Sequence, residues 1–182
     1  MIKIAITGNI ASGKSMVQDI ISSFGYVVMD TDVCAHDLLK NNKDVIKFFG
    51  TDCREKLGKI VFSDNLKLKK LESILHPLVK NEIFNFFAVN SNKNAVFVSV
   101  PQLFEAGFDN IFDKIIFVSA PYETRLKRLI TRNGYDSEYA KLRLSSQIDE
   151  KFKIPKCDCV IVNDSDIISL EYKTKECLEL LL

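Results

Sequence analysis

Ile2-Lys3-Ile4-Ala5-Ile6-Thr7 runs straight into Gly8-Asn9-Ile10-Ala11-Ser12-Gly13-Lys14-Ser15, and this stretch decides the fold. The first six residues are mostly apolar and β-branched, and a glycine follows them, so they read as a buried strand. After the glycine-bounded loop, Val17, Ile20, Ile21 and Phe24 recur at i, i+3, i+4 and i+7, one apolar face of a helix, and Gly25 is placed to end it. A second apolar run at 26–30 completes a strand–helix–strand unit, whose crossover is expected to be right-handed.

Outward from this unit, residues 95–100 and 114–120 read as further buried parallel strands, and 159–163 is a fifth candidate. The interval 33–93 is different: rich in Lys, Asn and Leu, it reads as helices inserted between the second and third strands. Leu68, Leu71, Leu75 and Leu78 keep helical spacing across Pro77. The proline is expected to kink that helix or to start a new one whose core face is Leu78, Val79, Ile83, Phe86 and Phe87. A second helical excursion spans 121–152.

Gly8 to Ser15 fits G-x-x-x-x-G-K-[ST], directly after a strand and directly before a helix. Gly8 and Gly13 permit backbone conformations and close approach that a side chain would block. The loop amides and the helix N-terminus are then expected to hold a polyphosphate. Lys14 would reach its β and γ phosphates, and the Ser15 hydroxyl would ligate Mg²⁺. The sequence thus points to an ATP- and magnesium-dependent protein with an α/β fold: a three-layer P-loop kinase core with a parallel sheet, forming a single domain over 1–182. An inserted helical lobe (33–93) and a second helical excursion that is a candidate lid (121–152) complete it.

Composition sets limits. The chain is 47% hydrophobic and 27% charged with a formal net charge of +1, which suits a globular protein and gives no reason to expect a nucleic-acid or membrane-surface binder. No stretch approaches the ~20 apolar residues of a membrane span. The first residues lack the charged and cleavage regions of a signal peptide, so the expected location is the cytoplasm. Of five cysteines (34, 53, 157, 159, 177), only Cys157-Asp158-Cys159 are close, at a spacing suited to neither a zinc knuckle nor a redox pair; free thiols are expected.

A guanine-reading N-K-x-D is missing, since Asn92-Lys93-Asn94-Ala95 lacks the aspartate, and no glycine has an aspartate three positions before it. A GTPase is therefore disfavoured. A small-molecule kinase needs a group for the acceptor hydroxyl and cations for the moving phosphoryl. Asp30-Thr31-Asp32 falls at the C-terminal end of the second strand, the edge where α/β sheets place their chemistry. Asp30 either caps the next helix or joins the site; Asp32 is the candidate base. Arg125, Arg128 and Arg132 form a stripe that is either a solvated face or a lid over ATP. His76, before Pro77, either caps a helix, fills a core corner or touches the acceptor, and His36 is expected at the surface. The Leu and Phe stripes of the first insertion are either core or the wall of an apolar slot.

Together these pieces resemble the dephospho-coenzyme A kinase family over nearly the whole chain. The resemblance rests on Thr7 to Ser15, Asp30-Thr31-Asp32, Arg54-Glu55-Lys56-Leu57, Val61-Phe62-Ser63, Leu71-Glu72, Ile74-Leu75-His76-Pro77-Leu78-Val79 and Val100-Pro101-Gln102-Leu103-Phe104-Glu105. It continues through Arg128, Arg132-Asn133-Gly134, Arg143, Gln147, Lys151 and Val160-Ile161-Val162-Asn163. It implies transfer of the ATP γ-phosphate to the ribose 3′-hydroxyl of dephospho-CoA, the last step of coenzyme A synthesis, with small-molecule partners only. The first insertion would then bind the CoA substrate, with His76 and Pro77 as contacts beside Asp32, and leave the oligomeric state open. It also implies that Asp32, Lys14, Arg132 and Arg143 are catalytic, and that Gly8 through Met16, Arg128 and Asn163 bind ATP. The family pattern usually has a second glycine at Asn9, Asp-Ala-Asp at 30–32, an arginine where this chain has His36, and leucine at Gln102. Asn9 tolerates unusual backbone angles, so the loop is expected to survive that change.

Overall fold

A computed structural model describes residues 1–62 and 64–182; Ser63, one residue of the family-like Val61-Phe62-Ser63, lies outside the described residues. Five strands form one sheet: β1 (Ile2–Thr7), β2 (Val28–Asp30), β3 (Ala95–Ser99), β4 (Lys114–Ser119) and β5 (Cys159–Val162), in the order β2-β3-β1-β4-β5. β1 runs parallel to β3, with Ile4 opposite Phe97, and parallel to β4, with Ile6 opposite Ile116; β4 runs parallel to β5. The eight α-helices among the described residues are α1 (Lys14–Ser23), α2 (Thr31–Leu39), α3 (Lys43–Phe49), α4 (Arg54–Phe62), α5 (Asn65–Val89), α6 (Tyr122–Asn133), α7 (Ser137–Ser145) and α8 (Ile167–Leu181).

Alternation within the strands explains the layers. Ile4 and Ile6, Ala95 and Phe97, Ile116 and Val118, and Ile161 share one core with Val17, Ile20 and Ile21 of α1 and Leu170, Leu178 and Leu181 of α8. The intervening Ala5, Val96, Val98, Ile115 and Phe117 are buried as well, so the sheet is covered on both faces, and continuous apolar strands follow. The chain leaves β1 toward β2 on one side and leaves β4 toward β5 on the other. The crevice at the carboxyl ends of β1 and β4 is therefore the switch point where such sheets bind ligands.

The chain divides into two compact units, Met1–Met29 with Asn92–Leu182, and Asp30–Ser91. The second is helical and has its own core of Leu39, Val45, Leu57 and Leu75, with Leu38, Phe49, Leu71 and Ile74 against it. Of the two alternatives at Pro77, a kink or a new helix, the second needs correcting: α5 runs through the proline as one helix. Its buried residues, Leu75, Val79, Ile83 and Phe87, repeat every fourth position and continue past the proline. That burial offsets the single backbone bond a proline removes, about 3 kcal/mol with its steric clash. Leu78 and Phe86, expected in the core face, are only half-buried.

The cysteines also depart from expectation. Cys159 on β5 and Cys177 on α8 form a disulfide with Cα atoms 6.2 Å apart, leaving Cys34, Cys53 and Cys157 free. The sequence separation of 18 hid a pair that the packing of α8 against the sheet creates. Burial, aided by the Asp158 charge, pushes the Cys157 thiol up to about 11, so it stays protonated near neutrality.

Candidate active site

The phosphate loop spans the gap between β1 and α1, and each glycine has a separate cause. A Cβ on Gly8 would run into the Val118 carbonyl of β4 and Ser12 Oγ, so Gly8 is there for close approach. Gly13 sits at φ 96°, and a Cβ there would strike the Asn163 side-chain amide. Within the loop the strained non-glycine position is Ala11, at φ 60°. Asn9, expected to be tolerated for its freedom at unusual angles, takes no positive φ; its side chain has another use, described below.

α1 starts differently from the other helices. α2, α3, α5, α7 and α8 are capped by the side chains of Asp30, Asn42, Asp64, Asp136 and Asp166, and α4 and α6 carry Glu55 and Glu123 in their first turns. α1 has neither: Gly13 at its N-cap offers no side chain, and its first turn holds no acid. The first amides of a helix have no carbonyl one turn back to bond, and the helix dipole makes this end positive. An uncapped, acid-free N-terminus beside a switch point is an anion site. Ser12 Oγ, in a residue only 1% exposed, has no hydrogen-bond partner among the described residues, and an incoming phosphate oxygen would supply one.

The rear of the loop is held by two side chains from far along the chain. Arg128 Nη1 donates to the carbonyls of Ala11 (3.1 Å) and Ser12 (3.2 Å), and Nη2 donates to Asn163 Oδ1 (3.2 Å). Asn163 Nδ2 donates to the Ser12 carbonyl (2.9 Å). Two carbonyls are thus drawn away, which favours amides facing inward. At the front, Gln147 Oε1 accepts the Ile10 N–H (2.7 Å), and the Ser12 N–H closes a turn onto the Asn9 carbonyl (3.1 Å). The excursion 121–152 packs Leu129, Ala140 and Leu144 onto Ile10 and Ala11.

The arginine stripe proves to be graded. Arg125 is buried, with Nε and Nη1 lacking partners among the described residues; Arg128 is half-buried on the loop; Arg132 is exposed at the end of α6 and bonds Asn133 Oδ1 (3.2 Å). Arg143 is half-buried on α7. The Asp149 carboxylate is held below the usual range, first by the Lys151 backbone N–H and then by its ammonium, with a further contribution from Arg125. Lys14 and Ser15 open α1, Ser15 and Met16 exposed and Lys14 half-buried.

In the helical unit, Asp30 Oδ1 accepts the N–H groups of Asp32 (2.8 Å) and Val33 (3.4 Å), which makes it the N-cap of α2. Asp32 is exposed in the first turn. His36, expected at the surface, is instead half-buried with Nδ1 lacking a partner among the described residues, because α2 turns that face inward beside buried Leu39. His76 lies mid-helix in α5 and is half-buried, so it is no cap; Pro77 beside it is exposed.

The dephospho-CoA kinase family profile matches residues 2–169. The chain belongs to the dephospho-CoA kinase family. A dephospho-CoA kinase from Listeria innocua is 38% identical, over 96% of this chain and 93% of its own. A crystallised protein from Thermus thermophilus, 33% identical, superposes with a TM-score of 0.84 over 100% of this chain and 98% of that one. The dephospho-CoA kinase of Campylobacter jejuni, 30% identical, gives 0.74 over 98% and 96%. The chain is thus a kinase of small-molecule substrates that uses ATP, and the reaction of its family is the final step of coenzyme A biosynthesis.

Sequence reasoning missed Lys153 and the roles of Glu105 and Gln147. Glu105 and Gln147 entered it only as parts of the family pattern, and Lys153 shows in the sequence only as a charged residue before the fifth strand. Nothing local signals that Lys153 and Glu105 meet.

Proposed function

We propose that this chain transfers the γ-phosphoryl group of ATP to the ribose 3′-hydroxyl of dephospho-CoA, with Mg²⁺ as the cation. The uncapped, acid-free start of α1, with its buried and unpartnered Ser12 hydroxyl, is the observation that carries the phosphate-binding half. Lys14 would balance the charge on the β and γ phosphates from the first helical position, while the loop amides orient them. Ser15 suits Mg²⁺: this cation prefers oxygen donors and takes much of its shell from water and nucleotide phosphates, so one exposed protein hydroxyl fits. When bound, it would screen the negative charge of the phosphates.

Asp32 would accept the proton of the acceptor hydroxyl or hold that hydroxyl in line. Its place two residues past β2, exposed in the first turn of a helix that Asp30 caps, puts it at the carboxyl edge of the sheet, where α/β folds place their chemistry. Arg132 and Arg143 would approach the transferring phosphoryl, with Arg128 and Asn163 fixing the loop and the nearby adenine. We assign the lid role to 121–152. The helical insertion, taken as 33–93, would bind the CoA portion with His76 and Pro77 among its contacts. No helix among the described residues is long and apolar enough to cross a membrane. We place the enzyme in the cytoplasm.

The test is product analysis. After incubation with Mg-ATP and dephospho-CoA, ³¹P NMR should show a new phosphomonoester coupled to the ribose 3′ proton, in amounts equal to the ADP formed. ADP release without that resonance would reject the assignment.

A further inference from the structure

A buried lysine meets the front of the phosphate loop. Lys153 is 2% exposed, and its ammonium donates to Glu105 Oε1 (2.7 Å) and to Asn9 Oδ1 (3.0 Å). Asn9, itself buried, donates through Nδ2 to the Ile148 carbonyl (3.4 Å). The amide can stand only one way round here: a lysine offers no acceptor and a carbonyl no donor, so oxygen must face Lys153 and nitrogen Ile148. Three segments therefore converge on one side chain: the loop, the turn after β3 that carries Glu105, and the stretch 147–153 that returns from α7 to β5.

Burying an ammonium is costly unless it is paired and hydrogen-bonded. Glu105 supplies the charge, and an apolar pair of similar volume would serve stability as well or better. What an apolar pair cannot do is hold Asn9 by a charge-assisted bond, stronger than a neutral one. Asn9 also accepts the Ser12 N–H through its carbonyl (3.1 Å), while the next residue, Ile10, has its N–H fixed by Gln147 (2.7 Å). Freezing Asn9 thus freezes the first turn of the loop before a nucleotide arrives. Those two amides are spent within the protein, but they set the shape of the loop, and a preorganised loop binds phosphate through its remaining amides without a reordering cost.

We propose that Lys153 is a positioning residue for the nucleotide phosphates. It acts through Asn9 on the front of the loop, as Arg128 acts on the rear, and Glu105 holds Lys153 in place. The claim rests on the phosphate-loop reading, not on the identity of the acceptor.

The test reads Mg-ATP affinity by calorimetry without acceptor, alongside steady-state kinetics and Tm, so a failure of the dephospho-CoA assignment would leave it standing. Asn9→Ala, which keeps the Lys153–Glu105 pair intact, should weaken ATP binding about tenfold, the worth of one hydrogen bond to a charged group. KM for dephospho-CoA should stay within about twofold and Tm within a few degrees, because the Lys153–Glu105 pair and the apolar core are kept. Lys153→Arg should retain most of the ATP affinity, since it keeps the charge and the donors. Lys153→Met placed on Asn9→Ala should add less than about twofold, the signature of two residues acting as one unit. Unchanged ATP affinity in Asn9→Ala, or a fall in Tm with no change in affinity, would overturn the proposal. A further tenfold loss in the double variant would show that Lys153 does not act through Asn9.

Discussion

The helices that follow the first two strands of the sheet begin in opposite ways. α2 is closed: Asp30 Oδ1 takes the amides of Asp32 and Val33, and Asp32 adds an acid to the first turn. α1 is open: Gly13 at φ 96° provides no cap, no acid follows, and the loop before it is tied back by Arg128, Asn163 and Gln147. Local chemistry makes one start self-sufficient and leaves the other in need of an anion. In the function proposed above, Asp32 at the closed end acts on the acceptor hydroxyl and the open end binds the group to be transferred.

Asp32→Asn attacks the functional side of the closed start and should have the largest effect. Turnover should fall roughly 10²–10⁴-fold, the usual worth of a general base, with the ATP dissociation constant nearly unchanged. A parallel loss of ATP binding would mean that Asp32 belongs to the nucleotide site and would blur the contrast. Next in size, Gly13→Ala attacks the open start. At a positive φ the substitution costs more than about 1 kcal/mol, and here its Cβ also meets Asn163. ATP affinity should fall at least about tenfold, since the amides it displaces are those that hold phosphate. Smallest is Asp30→Ala. Losing one N-cap should cost about 1 kcal/mol and lower Tm by about 2–4 °C, with ATP affinity intact. If Asp30→Ala instead abolished turnover at unchanged Tm, Asp30 would be catalytic and the two helix starts would not differ as described.

The open start was legible in the sequence because its cause is local. Glycines at fixed spacing, a lysine and serine, an apolar strand before and an amphipathic face after all lie within 25 residues, and the structure shows α1 ending where Gly25, at φ 88°, follows its C-cap. Asp30 as a cap was one of two open readings, since a carboxylate before a helix suits either role. What escaped was long-range. Arg125 and Arg132 look alike in a stripe, yet one is buried and the other exposed, because the packing of α6 decides which arginine the core covers. Lys153 reads as one lysine among many until the fold brings it to Asn9, 144 positions away. Cys159 and Cys177 likewise meet only through the docking of α8. Pro77 carries a strong local signal to break a helix, and the buried stripe of α5 overrides it.

The most direct test of the whole account is ADP release with Mg-ATP, comparing dephospho-CoA, AMP and shikimate as acceptors under identical conditions. Turnover with dephospho-CoA far above the other two is the predicted result. Turnover with AMP or shikimate instead, or no turnover with any acceptor while ATP still binds, would contradict it.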